Sequence, residues 1–253
     1  MLCLHANASS SSQWRGLMEL LAPHFRVLAP DLLGAGRSAP WPVGKGARLQ
    51  HEIDALTGLL DGLGGRFHLV GHSYGGAVAL RIALTQTERV ASLVLYEPTV
   101  YPLLGQPHPG QAGAIGIAAV ATAAMAEVDR GDLSAAAAGF IDYWMGEGTW
   151  AATPEARRGA MAESMRPIRQ WTDAIFTEPW SLARLAGLAD LGVPVLLLGG
   201  EISPASARDL LPLLATALPR AVNRILPGVG HMAPVTHPQA VNPLIEQFLR
   251  QQA

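Results

Sequence analysis

Between the apolar run Phe67-His68-Leu69-Val70 and a second one from Ala77 to Leu84 lies the pentapeptide Gly71-His72-Ser73-Tyr74-Gly75. Glycines two residues before and two after a serine, at a strand-to-helix turn, form a nucleophile elbow. The requirement is steric. The turn is so sharp that the serine backbone is strained, and side chains at the flanking positions would collide with the neighbouring strand and helix. Gly75 and Gly76 let the helix start close to the sheet. Ser73 is therefore expected to lift its hydroxyl above the C-terminal edge of a parallel sheet, at the positive end of a helix dipole. Alone, the five-residue pattern is common; in this strand-turn-helix setting it points to a serine nucleophile.

The remaining chain reads as the sheet that such a turn needs. Strands are expected at Met1–Leu4, Arg26–Ala29, Phe67–Val70, Ala91–Tyr96, Val193–Leu198 and Val222–Leu226, and helices at Ser12–Leu21, Arg48–Leu63, Tyr74–Gln86, Ser206–Ala217 and Pro238–Arg250. The strand runs are continuously apolar, as when helices cover both faces of a sheet. The alternation predicts an α/β fold with a doubly wound, mainly parallel sheet, in which ligands bind at the carboxyl ends of the strands. His5, Asp31, Ser73, Glu97, Glu201 and His231 all fall just past strand ends, on one rim.

Between about residues 101 and 186 the alternation stops. That stretch carries Trp144, Trp150, Trp171, Trp180, Met125, Met145, Met161 and Met165 and no strand signal. It starts after one strand and ends before another, so it reads as a helical cap inserted into a single domain, 1–253. Most of these side chains are expected to be cap core. Trp144 and Tyr101, with Met232 beside the candidate base, are the candidates for lining a substrate pocket.

Composition excludes several classes. At 253 residues, with 49% hydrophobic and 15% charged residues, the chain is globular. A formal charge of −2 makes no electrostatic case for nucleic acid or an anionic membrane surface. The sole cysteine, Cys3, allows no intrachain disulfide and no thiolate metal cluster, and its apolar neighbours suggest a small buried hydrophobe. No basic-then-apolar signal segment is seen. No apolar run is expected to reach the roughly 20 residues that span a bilayer, the Ala-rich stretch 112–126 being short and interrupted by glycine. A cytoplasmic protein without a membrane partner is the expectation.

A serine hydroxyl needs a base to take its proton. The candidate is His231, in Gly228-Val229-Gly230-His231-Met232-Ala233-Pro234, between the last expected strand and the final helix. His72 lies inside the elbow and is expected to point elsewhere. His24, His51, His108 and His237 look like surface or cap residues, and His68, within a strand, suits a buried structural role.

Five segments taken in order resemble the α/β-hydrolase superfamily over nearly the whole length. They are Leu4-His5-Ala6-Asn7-Ala8-Ser9 with Trp14 following, Ala29-Pro30-Asp31-Leu32-Leu33-Gly34-Ala35-Gly36-Arg37-Ser38, Val70-Gly71-His72-Ser73-Tyr74-Gly75-Gly76, Leu95-Tyr96-Glu97-Pro98 and Gly230-His231-Met232. The resemblance implies a Ser–His–acid triad under a helical lid, and a serine at 73 argues against the branches that use an aspartate nucleophile. Three features depart from the family pattern. The usual His-Gly of the oxyanion loop is His5-Ala6, and the chain begins at the oxyanion strand without the leading hairpin of most members. Ser203, in Gly200-Glu201-Ile202-Ser203, stands where the acid is expected. Some members supply the acid from the turn after the strand that follows the nucleophile helix; here that turn carries Glu97. Glu97 is thus the expected acid, with Glu201 the alternative. Asp31 is better explained by turn hydrogen bonding, and Gly34-x-Gly36 lacks the rest of a dinucleotide fingerprint.

The resemblance implies acyl transfer through Ser73, His231 and Glu97, with the backbone amides of Asn7 and Tyr74 as the oxyanion hole and His5 bracing that loop. No metal or organic cofactor is required. The expected partner is a small-molecule ester, of small or medium apolar groups, hydrolysed by a carboxylesterase-like enzyme. Carbon–carbon or lactone hydrolysis, perhydrolysis and acyl transfer remain open on the same triad, as does a non-catalytic ligand-binding role. Oligomeric state is not readable.

Overall fold

Each strand turns alternate side chains to opposite faces, and in the central strands of this sheet both sets are mainly apolar and buried. The computed structural model describes residues 1–42, 46–105, 111–190 and 192–252; His108 lies outside the described residues. Five strands, β1 (Leu2–Leu4), β2 (Phe67–His72), β3 (Val90–Tyr96), β4 (Val195–Gly200) and β5 (Val222–Leu226), form one sheet in the order β1-β2-β3-β4-β5, every pair parallel. Leu2, Leu4, Leu69, Leu93, Leu95 and Leu197 face one core, shared with helices Leu49–Gly62, Tyr74–Thr85 and Ala205–Ala217. Cys3, Val70, Val94, Tyr96, Leu196 and Leu198 face the other, closed by helices Arg15–Leu21 and Pro238–Arg250. The sheet is therefore doubly wound. Cys3 is fully buried, and burial pushes its thiol up to about 12, which leaves it an inert packing group.

The expected strand Arg26–Ala29 shrinks to a single bridge, Leu28 to Leu2. β1 pairs with β2 over all three of its residues but with this segment only at Leu2. That bridge lies on the far side of β1 from β2 and marks where the winding reverses. Ser73 follows β2 directly, beside this switch point, where α/β sheets open a crevice. The expected helix Ser12–Leu21 is divided into a 3-10 turn, Ser11–Trp14, and the helix Arg15–Leu21.

From residue 111 to residue 190 the described chain is helical: Gln111–Asp129, Leu133–Met145, Thr149–Ala152, Glu155–Glu163, Ile168–Phe176 and Leu182–Asp190. The Ala-rich stretch is longer than its sequence suggests. It runs unbroken across Gly113 and Gly116 because packing against Leu133–Met145 and Ala205–Ala217 offsets the weak helix propensity of glycine. Its window Ala112–Asp129 has a mean hydropathy of 1.4 over 18 residues, long and apolar enough by those criteria to cross a membrane. Gly113, Ile117, Ala121 and Ala124, spaced along one side, are buried. Arg81 of the nucleophile helix pairs with Glu178 at 2.9 Å, both side chains largely buried, and ties the inserted helices to the elbow.

Beneath the elbow sits a carboxyl group with no cation beside it. Glu52, on Leu49–Gly62, is fully buried and accepts hydrogen bonds from the Leu33 amide (3.1 Å) and the Tyr74 hydroxyl (3.1 Å). Burial pushes its pKa up from 4.5 to about 7, because neither donor replaces the lost hydration of a full charge. The folded chain thus holds this proton more tightly than the unfolded chain. The resulting stabilisation is complete below about pH 4.5 and is lost as pH rises through about 7, an effect of about 3 kcal/mol. Glu52→Gln removes the titration while keeping an acceptor. Urea unfolding of both proteins between pH 4.5 and 8 should show the variant gaining on the wild type by about 3 kcal/mol; a constant difference would refute this source.

Candidate active site

Ser73 has φ 55° and ψ −117°, a strained conformation for a residue with a side chain. The strain is held by three backbone bonds: Ser73 N–H to the Tyr96 carbonyl (2.9 Å), Gly75 N–H to the His5 carbonyl (3.1 Å) and Thr99 N–H to the Ser73 carbonyl (3.2 Å). A Cβ at Gly75 would run into the Leu4 carbonyl, and one at Gly71 into the backbone of Gly75. Only glycine fits at either place.

Around this hydroxyl three distant segments converge. The His231 Nε2 lies 2.9 Å from the Ser73 Oγ, and its Nδ1 lies 2.7 Å from the Glu97 Oε2. All three residues are at most 4% exposed. Glu97 also has a positive φ, 43°, at the end of β3, which turns its carboxylate across toward β4. There its second oxygen accepts from the Gly200 amide (2.6 Å) and the Ser203 hydroxyl (2.7 Å). Ser203 thus anchors the Glu97 carboxylate. The sequence does not disclose that role, although the Gly200-Glu201-Ile202-Ser203 segment carries its signal. Glu201 is exposed, and its carboxylate accepts from the Gly228 amide (2.9 Å) rather than from His231.

The base loop is fixed from behind by a histidine expected to point elsewhere. His72 does turn away from the Ser73 hydroxyl, but its Nε2–H donates to the His231 carbonyl (2.8 Å), so its Nδ1 is the acceptor for the Gln13 side-chain amide (3.0 Å). Burial, and then the neighbouring His231 ring, hold His72 well below the usual imidazole range, so it stays neutral in this role. Gln13 Oε1 in turn accepts from the Ala6 amide (3.2 Å), which links the base loop to the loop after β1. The Tyr96 hydroxyl adds a bond to the Gly230 carbonyl (2.8 Å). Trp144 stacks on the open face of His231, centroids 4.0 Å apart at 28°.

His5 braces the loop that it begins. Its Nε2 accepts from the Leu32 amide (2.9 Å), so its Nδ1–H donates to the Ala6 carbonyl (2.8 Å), and burial lowers its pKa to match that neutral form. The alanine in place of glycine at position 6 needs no positive φ; Ala8, at φ 52°, takes that conformation instead. Among the described residues, neither the Asn7 nor the Tyr74 amide N–H has a hydrogen-bond partner. Asp31 accepts from the amides of Ser11 (2.7 Å) and Arg37 (3.0 Å), a turn-bracing role. His68 is half-buried rather than buried and pairs with the Ser92 hydroxyl (2.8 Å); His24 and His237 are exposed, and His51 is half-buried against Trp41.

A pocket opens over Ser73 and His231, and Tyr101, Trp144 and Met232 all line it. A second space, rich in methionine, adjoins it and shares Asn7, Phe140, Trp144 and Met232.

A model of the Alpha/beta hydrolase family matches residues 1–244. The chain belongs to that family. Among curated relatives it is 26% identical to a pimeloyl-[acyl-carrier protein] methyl ester esterase of Yersinia enterocolitica, over 99% of this chain and 93% of the relative. It is 24% identical to 2-hydroxy-6-oxo-6-(2'-aminophenyl)hexa-2,4-dienoic acid hydrolase of Metapseudomonas resinovorans, over 98% and 82%. The lipase LipV of Mycobacterium tuberculosis is 40% identical over 104 residues, a match that spans 40% of this chain and 37% of the lipase. A solved thermophilic esterase from Thermogutta terrifontis superposes with a TM-score of 0.75 at 26% identity, covering 99% of this chain and 89% of the esterase.

The geometry predicts which carboxylate the imidazole depends on. Labelling of Ser73 by a fluorophosphonate should slow by about 100-fold or more in Glu97→Gln, since an uncharged partner leaves the ring in the wrong tautomer. Glu201→Gln should label within about twofold of the wild type. The reverse order, read by mass spectrometry over time, would reject the pairing.

Proposed function

We propose that this protein is a serine hydrolase that cleaves carboxylic esters of small or medium apolar groups through an acyl-enzyme, acting in the cytoplasm on a small-molecule substrate. The observation that carries the reading is the unbroken line Ser73 Oγ, His231 Nε2, His231 Nδ1, Glu97 Oε2, with links of 2.9 and 2.7 Å, beneath a largely apolar cavity. Relatives named as a methyl ester esterase and a lipase support the ester bond as the target.

In this scheme the Ser73 Oγ attacks the ester carbonyl carbon while its proton passes to the His231 Nε2. The carbonyl oxygen becomes an oxyanion, and the free amides of Asn7 and Tyr74 stabilise it; losing one such donor typically costs about 100- to 1000-fold in rate. Collapse breaks the bond to the alkoxide, which takes the proton from His231 and leaves as alcohol. Water then attacks the acyl-serine, gives its proton to His231 and releases the acid, and the proton returns to Ser73. Throughout, Glu97 holds the Nδ1–H and balances the imidazolium. Ser203 and Gly200 keep the carboxylate from turning away. Carbon–carbon bond hydrolysis is the second reading, because the full-length relative from Metapseudomonas resinovorans is named as a hydrolase of a dienoic acid.

A panel of p-nitrophenyl esters tests the proposal. The kcat/KM should rise about three- to fourfold per added methylene while the apolar cavity is filling, then fall once the acyl chain outgrows it. Ser73→Ala should lower turnover by about 10⁴-fold or more. Cleavage that survives this substitution, or an absence of cleavage across the panel, would overturn the reading.

A further inference from the structure

The cavity over Ser73 is walled by Tyr101, Ile117, Phe140 and Ile175, yet one wall carries a hydroxyl without a protein partner. Thr99 is 2% exposed and lines this space, and its Oγ1 makes no hydrogen bond to any described residue. Its backbone is committed: the amide donates to the Ser73 carbonyl at 3.2 Å, which holds residue 99 beside the nucleophile. A buried hydroxyl left unpaired costs about 1–3 kcal/mol, whereas valine would fill the same shape without that cost. Asn7, on the opposite loop, repeats the pattern: its Oδ1 is also buried without a partner, and it lines the same cavity. The Thr99 hydroxyl can donate to a ligand oxygen, whereas the Asn7 Oδ1 only accepts and calls for a ligand hydroxyl or N–H; apart from Ser73, His231 and Thr172 the lining around them is mainly apolar.

We propose that Thr99 is a specificity residue whose hydroxyl bonds an oxygen carried on the acyl chain, so that keto- or hydroxyacyl esters are preferred to plain alkanoates. The inference rests on the ester-hydrolase reading and narrows its substrate class. A site built to pair with a substrate oxygen penalises the analogue that lacks it, because the protein group is then left unsatisfied. The bond forms alongside the chemistry and takes no part in it, so Thr99 positions the acyl chain and is not a catalytic residue.

The test compares methyl hexanoate with its 2-oxo, 3-oxo and 4-oxo analogues in a pH-stat. For the wild type, kcat/KM on at least one oxo ester should exceed that on hexanoate by about tenfold or more. In Thr99→Val that ratio should fall by about tenfold, and in Thr99→Ser it should stay within about threefold of the wild-type value. The intrinsic reactivity of each oxo ester is the same for every variant and divides out. A substitution that merely disturbed the fold would lower all rates together and leave the ratio unchanged, which would overturn the proposal. So would a wild type that prefers none of the oxo esters. Failure on all four methyl esters and on the p-nitrophenyl panel together would instead remove the ester-hydrolase reading beneath it.

Discussion

One imidazole ties together parts of the chain that are 158 and 134 residues apart, and the arrangement around it accounts for much of the fold's upper rim. A histidine on a loop after the last strand has no reason of its own to hold one orientation. Here it has four: Glu97 on Nδ1, His72 on its carbonyl, Tyr96 on the neighbouring carbonyl and Trp144 against its face. Two of these contacts act on the backbone and two on the ring, so the loop cannot swing without breaking several at once. The cost of ordering a loop side chain is met before any ligand arrives.

Glu97, the proposed acid, is held by more than the imidazole. Serine at position 203 cannot balance an imidazolium, but a hydroxyl can hold a carboxylate that does. Glutamate at the end of β3 is one methylene longer than aspartate, and the positive φ at Glu97 aims it across the sheet. Its two oxygens then divide the work, one to the imidazole and the other to Ser203 and Gly200. A carboxylate buried at 3% exposure with only the histidine would be free to rotate and poorly solvated. With all three partners it is satisfied and fixed.

The inserted helices do more than cover the rim. Trp144 reaches the base itself, and Arg81 with Glu178 bonds the cover to the helix that carries the nucleophile. Substrate space, base orientation and cover position are therefore coupled through contacts that can be altered one at a time. The polar atoms on Thr99 and Asn7 in that space stand out because they are buried with no hydrogen-bond partner among the described residues.

How far the sequence alone reaches depends on how local each signal is. The elbow is legible because its glycines are demanded by collisions within a few residues. The central strands are legible because both of their faces are buried and their runs are largely apolar, whereas the edge strand β5 is mostly exposed and carries Asn223 and Arg224. The strand at Arg26–Ala29 is overestimated, since how far it pairs along the outer edge of β1 is decided by tertiary packing that no local pattern reveals. The Ala-rich helix is underestimated for the converse reason, its glycines being tolerated through contacts with distant helices. His72 and Ser203 escape notice as supports because each acts on a residue more than 100 positions away. Local steric demands and continuously apolar strand runs therefore determined the fold class and the elbow at Ser73. Which groups orient the base, and which polar atoms remain for a ligand, was decided only by tertiary structure, because hydrogen-bond partners are chosen by proximity in space and leave no fixed spacing along the chain.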